Sequence, residues 1–292
     1  MYKHLIFIVI IIVAALLFTS CAKPKQEPKT LHITTSFYPM YIFTLNITKD
    51  VPGIKVTNLT KPTTGCLHDY SLAPAEMKAL ESTDIFIANG GGMENFIAKV
   101  ISTIPANHLI DASAGIEPIS HNGEVNPHFF VSISDAILQV RNIANGLAGL
   151  DAEHKTQYLA NMEAYVARLT ALKDKMHASL DGIKNKDIIT FHEAFPYFAR
   201  EFSLNTVAVI EREPGSEPSA GELAETINII KQSKIKAIFA EPQYSAKAAE
   251  TIAVETSAKM YVLDPAVSGS YELTAYESIM EKNLATLVQA LN

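Results

Sequence analysis

The sequence predicts an α/β protein of two Rossmann-like lobes with parallel sheets, joined by one long rigid helix. Three observations predict it. Short β-branched runs alternate with helical patterns, as in parallel sheets covered by helices. The alternation occurs twice, with four strand candidates each time. Between the two sets, Asp151 to Leu180 contains neither Gly nor Pro, and its apolar residues follow helical spacing.

The first set of strand candidates is Leu31–Ser36, Ile54–Thr60, Asp84–Asn89 and His108–Ala112. Helix candidates Pro74–Ser82 and Glu94–Thr103 fall among them. The second set is Asp187–His192, Thr206–Glu211, Lys236–Glu241 and Met260–Asp264, with helix candidates Ala220–Ser233 and Ser245–Ala258. Ser219 followed by Glu222 predicts a capping box, in which each side chain satisfies a free N–H at the helix start. The preceding Glu211-Arg212-Glu213-Pro214-Gly215 reads as a loop.

In the middle segment Tyr158, Met162, Tyr165, Leu169, Leu172 and Met176 recur at spacings of 4, 3, 4, 3 and 4. That is one apolar stripe on a long helix. Asp151 is placed to cap its start, and Gly182 lies just past its end. The expected organisation is a leader over 1–20, a tether over 21–30, an N-terminal lobe over 31–150, a connecting helix over 151–182 and a C-terminal lobe over 183–292.

The leader reading rests on local chemistry. Lys3 and His4 precede the uncharged run Leu5 to Phe18, and Thr19-Ser20-Cys21 follow. A basic start, a short apolar stretch and small residues at a cut site describe a secretory signal. The run is shorter than the roughly 20 residues of a membrane span. Leu17-Phe18-Thr19-Ser20-Cys21 resembles a bacterial lipobox, which implies a lipid on Cys21, although Phe18 stands where Leu is usual. The segment Ala22 to Thr30 carries four charges and two prolines, as a flexible tether does. An extracytoplasmic protein held at a membrane by its lipid is the expectation.

The net charge is -7, from 24 Lys and Arg against 31 Asp and Glu. No basic cluster stands out, so a nucleic-acid partner is not expected. Cys21 and Cys66 are the only cysteines, so no disulfide framework is expected and the fold must be held by its core.

Of the nine histidines, His68, His128 and His192 fall in loops or at strand carboxyl ends, where ligands of open α/β sheets bind. Asp264 ends the last strand candidate and would join from the side of His192. Three imidazoles and a carboxylate suit a tetrahedral zinc shell, with ligand distances of about 2.0–2.2 Å. Such a shell needs neutral imidazoles, so binding should weaken below about pH 6.5. Histidines scattered through a chain of this size can mimic such a set. Cys66, two residues before His68, is an alternative thiolate ligand or a small residue shaping the loop.

The words around these residues resemble the metal-specific cluster of ABC-transporter substrate-binding lipoproteins, which deliver zinc or manganese to a membrane permease. Ser36-Phe37-Tyr38-Pro39-Met40-Tyr41 is similar to that family's first-strand segment. His68-Asp69-Tyr70 with Pro74 is similar to its first ligand loop, and Asn126-Pro127-His128 to the Asp-Pro-His of its second. Thr190-Phe191-His192-Glu193-Ala194-Phe195 is similar to its third. Glu217-Pro218-Ser219, Phe239-Ala240-Glu241-Pro242-Gln243 and Leu263-Asp264-Pro265 complete the order. The resemblance covers nearly all of the chain after the leader.

It implies two α/β lobes joined by one helix, with the metal held between them by His68, His128, His192 and Asp264. It implies a monomeric, non-enzymatic binding protein whose cargo is Zn2+, with Mn2+ as the alternative. His192 leans the chain to zinc, because manganese members typically carry Glu there and carboxylate-rich shells suit manganese. The chain departs from the pattern at Leu67, where Pro is usual, and at Phe129-Phe130. It has only His121 where many zinc members carry a His-rich loop. The rival from another class, a secreted zinc hydrolase, would need an open metal position and a general base, and no His-Glu-x-x-His motif is present. The expected capture has one lobe bind first and the other complete the shell.

Overall fold

The computed structural model describes residues 30–61, 67, 70–102, 104–105, 108–121, 123–210, 219–233, 235–242, 247–256 and 258–292. The leader, with Cys21, and the pair Cys66 and His68 lie outside them. Residues Leu31–Asn292 cluster as one compact unit.

The first half builds β1 (Leu31–Thr35), α1 (Tyr38–Ile47), β2 (Ile54–Asn58), α2 (Pro74–Glu81), β3 (Ile85–Ala88), the short α3 (Ala98–Ile101) and β4 (Leu109–Asp111). A small hairpin of β5 (Ser120–His121) and β6 (Glu124–Val125) follows, then α4 (Ile133–Leu150). The long α5 (Lys155–Leu180) leads to β7 (Asp187–Thr190), α6 (Pro196–Phe202), β8 (Asn205–Val209), α7 (Ala220–Ser233), β9 (Ala237–Ala240), α8 (Lys247–Thr256), β10 (Lys259–Val262) and α9 (Ala275–Leu291).

Two parallel sheets result, ordered β2-β1-β3-β4 and β10-β9-β7-β8. Counted within its own half, the second sheet has the same order as the first. All eight predicted strands are present. β3 and β9 are buried along their whole length, as expected of strands covered on both faces. In each sheet the order reverses between the two central strands. That reversal opens a crevice at their carboxyl ends.

α5 runs 26 residues, about 39 Å at 1.5 Å per residue. It buries the predicted stripe, with Tyr158, Tyr165, Leu169 and Met176 fully enclosed, and packs against α4, α1 and α9. It starts at Lys155 rather than at Asp151. Asp151 instead ends α4, and its Oδ2 accepts bonds from His154 Nδ1 and the Tyr158 hydroxyl, each at 2.7 Å. The capping box at α7 forms as predicted, with Ser219 N donating to Glu222 Oε2 at 2.8 Å and Glu222 N donating to Ser219 Oγ at 3.3 Å.

Sequence patterning missed α1, α4, α6 and α9. In α1 eight of ten residues are buried, so no polar face marks it as helical. Strand β1 stops at Thr35, and the Ser36–Tyr41 segment turns into this helix with Pro39 in its first turn, where the missing N–H costs nothing. The candidate Glu94–Thr103 splits into a 3-10 turn at Asn95–Ile97 and α3.

Candidate metal centre

His192 follows β7 directly. Phe191 N donates to Phe239 O at 3.1 Å, extending the pairing with β9 and bringing Glu241, which follows β9, alongside. His192 Nδ1 lies 3.1 Å from Glu241 Oε1, and both side chains are 1% exposed. The pair occupies the crevice where the C-terminal strand order reverses.

His128 reaches the same place from the first half. The hairpin β5–β6 is closed by Asn126 N donating to Ile119 O at 2.8 Å. Asn126 Oδ1 then accepts from His128 N at 3.0 Å and lies 2.9 Å from His128 Nδ1. Asn89, just past β3, donates from Nδ2 to Pro127 O at 2.8 Å, and Gln139 of α4 donates to Asn89 Oδ1 at 3.0 Å. The His128 loop is thus pinned to the carboxyl end of the N-terminal sheet. His128 is 1% exposed.

The two imidazole centroids are 4.9 Å apart, with the rings at 85°. Each Nδ1 faces an oxygen acceptor. That bond assigns the proton to Nδ1 and the lone pair to Nε2, the tautomer in which a ligating His donates to a carboxylate or carbonyl.

Beneath the His128 loop lies Glu94, which accepts from Asn89 N at 2.7 Å and Gly90 N at 3.1 Å. Burial pushes its carboxyl up to about 7, against the bonds from Asn89 and Gly90, which lower it. Gly91 is in the left-handed region, with φ +63, and a Cβ there would stand 2.5 Å from Phe129 Cε2.

Asp264 follows β10. Its Oδ1 accepts from Ala266 N at 2.8 Å, and Asn283 of α9 brackets its backbone. Burial raises its carboxyl first; the bond from Ala266 lowers it, and the nearby charge of Glu241 raises it further. Among the described residues, no three His, Cys, Asp or Glu side chains group closely enough to hold an ion. The structure brings together His128 and His192. Asp264 stands in the electrostatic reach of Glu241, and His68 lies outside the described residues. Its neighbour Leu67, where the resembled pattern has Pro, is fully buried, and Tyr70 N donates to Leu67 O at 3.1 Å.

Sequence reasoning assigned no partner to either imidazole. The signal for Glu241 was its place at the end of the strand next to β7. The signal for Asn126 was an Asx residue two before His128, which favours a local turn.

The family model described as the periplasmic component A of a zinc-uptake complex matches residues 33–290. The zinc-binding lipoprotein AdcA of Streptococcus pneumoniae is 30% identical over 298 residues, covering 94% of this chain and 58% of AdcA. This chain therefore spans little more than half of that relative. The high-affinity zinc uptake system protein ZnuA of Bacillus subtilis is 30% identical over 282 residues, covering 89% of this chain and 88% of its own length. The substrate-binding protein FpvC of Pseudomonas aeruginosa, solved with Ni2+, superposes with a TM-score of 0.81 at 33% identity, covering 90% of this chain and 97% of FpvC.

Proposed function

Because the chain belongs to the zinc-uptake complex component A family, we propose that it is the extracytoplasmic solute-binding component of a metal ABC importer. It captures Zn2+ between its lobes and hands it to a membrane permease. The observation that carries this is the buried pair His128 and His192, 4.9 Å apart between centroids, each with Nδ1 turned to an oxygen.

His128 and His192 offer Nε2 to the ion, His68 adds a third imidazole, and Asp264 supplies a carboxylate from the C-terminal side. An imidazole-rich set favours zinc over manganese. Enclosing both imidazoles and Glu241 suits retention of an ion, since a catalytic zinc keeps a position open to water. The ion is held between lobes over 31–150 and 183–292, which lie at the two ends of the connecting segment 151–182. A lipid on Cys21 and the tether 21–30 keep this monomer at the membrane beside its permease, once the signal 1–20 is removed. Among the described residues no helix is long and apolar enough to cross a membrane.

The test is metal analysis of protein purified without added metal, with competition titrations of Zn2+ and Mn2+. One bound zinc per chain, displaced by chelator and not by equimolar manganese, is the expected result. A chain that binds neither ion sinks the reading.

A further inference from the structure

Around the two imidazoles, the halves of the chain are fastened to each other by Asn126, which also holds the His128 ring, and by side chains that bond neither ring. Asn126, two residues before His128, donates from Nδ2 to Glu193 O at 2.8 Å, one residue past His192. Tyr197 of α6 donates its hydroxyl to Asn126 O at 2.7 Å and accepts from Ile119 N at 2.9 Å. Its ring meets Phe129, next to His128, at 4.8 Å between centroids.

One turn further along α6, the Glu201 carboxylate sits against the start of α4. It accepts from Ser132 Oγ at 2.8 Å, Ser134 N at 3.1 Å and Ser134 Oγ at 2.6 Å. Ser132 is the N-cap of α4 and its hydroxyl also accepts from Asp135 N at 3.2 Å. A carboxylate is favoured there because the first N–H groups of a helix carry partial positive charge. Arg200 braces the same contact, donating to Asp135 Oδ2 and to Glu117 O, each at 3.2 Å. The Glu201 side chain is 6% exposed, so its bonds form in a low dielectric where charge-assisted bonds are strong.

We propose that Glu201 is a positioning residue for metal capture. It locks α6 to α4, so that His128 and His192 stand as a preassembled pair and both take the ion in one step. The inference rests on the metal-capture reading above and deepens it. It departs from lobe-by-lobe capture: lobe rotation cannot part these imidazoles without breaking the Glu201, Tyr197 and Asn126 bonds together. A pair assembled in advance spares the ion the ordering of its own ligands, which raises affinity.

The test compares wild type with Glu201→Ala, Glu201→Gln and Tyr197→Phe, using Zn2+ competition titration and the absorption spectrum of bound Co2+. Glu201→Ala should bind zinc roughly tenfold more weakly, at the lower end of the cost of losing groups that orient a ligand. Its Co2+ bands should broaden as the two imidazoles lose their fixed geometry. Glu201→Gln keeps an acceptor for a serine hydroxyl and should fall between. Zinc affinity and Co2+ bands unchanged in folded Glu201→Ala, with only a lower melting temperature, overturn the proposal. If that variant does not fold, Tyr197→Phe decides in its place: weaker zinc binding supports the clamp, and wild-type binding overturns it. His128→Ala and His192→Ala separate the two readings. If they retain zinc, the capture reading falls and the clamp falls with it. If they lose zinc while the clamp variants keep it, the clamp alone falls.

Discussion

His192 and Glu241 meet between the two central strands of the C-terminal sheet, Nδ1 to Oε1 at 3.1 Å, with each side chain 1% exposed. A carboxylate so placed holds the ring's orientation and makes Nε2 more basic. Glu241→Ala should weaken Zn2+ binding about 10- to 100-fold, the usual cost of losing such a partner. Glu241→Gln keeps an acceptor and loses the charge, so its loss should be smaller. Competition against a chromophoric chelator measures both, and equal affinity in all three proteins would remove Glu241 from the site.

The imidazoles and Asp264 should not count equally. Losing a ligand costs more than losing its support, so His128→Ala and His192→Ala should each exceed the roughly 100-fold upper range for supporting groups. Asp264 already spends Oδ1 on Ala266 N, and Asp264→Asn keeps that acceptor. Its loss should stay below that of either histidine. Isothermal titration of the three variants ranks them, and an Asp264→Asn loss equal to that of His192→Ala would make the carboxylate a full ligand.

Glu94 predicts a pH dependence of stability. Its carboxyl is raised from 4.5 to about 7 by burial. Below 4.5 both folded and unfolded chains hold the proton, and burial carries no ionisation penalty. Between 4.5 and 7 the unfolded chain releases the proton first, so stability falls as pH rises. Above 7 the penalty is complete, ~3 kcal/mol at about 1.4 kcal/mol per unit. Glu94→Gln removes this window, although its amide N–H groups fit the Gly90 N–H poorly and lower stability at every pH. Urea unfolding of metal-free protein should show the variant gaining on wild type from pH 4.5 to 7.5. A constant difference across that range would place the titration elsewhere.

The strands were legible because each is a short run containing Ile, Val or Thr, set between turn or helical segments, and all eight formed. The α5 stripe was legible because one face is apolar and the other charged. Helix α1 was not, because a segment buried on both sides carries no amphipathic period. The His128 and His192 positions could be read from their places at loop starts and strand ends. Their partners could not. Glu241 and Glu201 meet His192 and Ser132 across separations of 49 and 69 residues, and only the folded sheet order brings such pairs together. Asp151 misled for a local reason: its carboxylate bonds the side chains of His154 and Tyr158, so α5 begins a turn later.

Gly91 and Gly123 separate backbone strain from crowding at the His128 loop. Both have positive φ, +63 and +86, where a Cβ costs roughly 1–2 kcal/mol. Around Gly123, in the hairpin turn, nothing lies within 4 Å of an added Cβ. At Gly91 the Cβ would press on the ring of Phe129, which is 2% exposed and packs at a tilt against Tyr197. Overpacking there adds roughly 1–3 kcal/mol, and the ring can yield only by moving the backbone that carries His128. Gly123→Ala should therefore lower stability modestly and leave Zn2+ affinity intact. Gly91→Ala should lower stability by about twice as much or more, summing the strain and crowding terms, and should weaken zinc binding as well. Denaturant unfolding and zinc titration of both proteins check the pair. If Gly91→Ala keeps full affinity, the contact of Phe129 with this glycine does not set the position of His128.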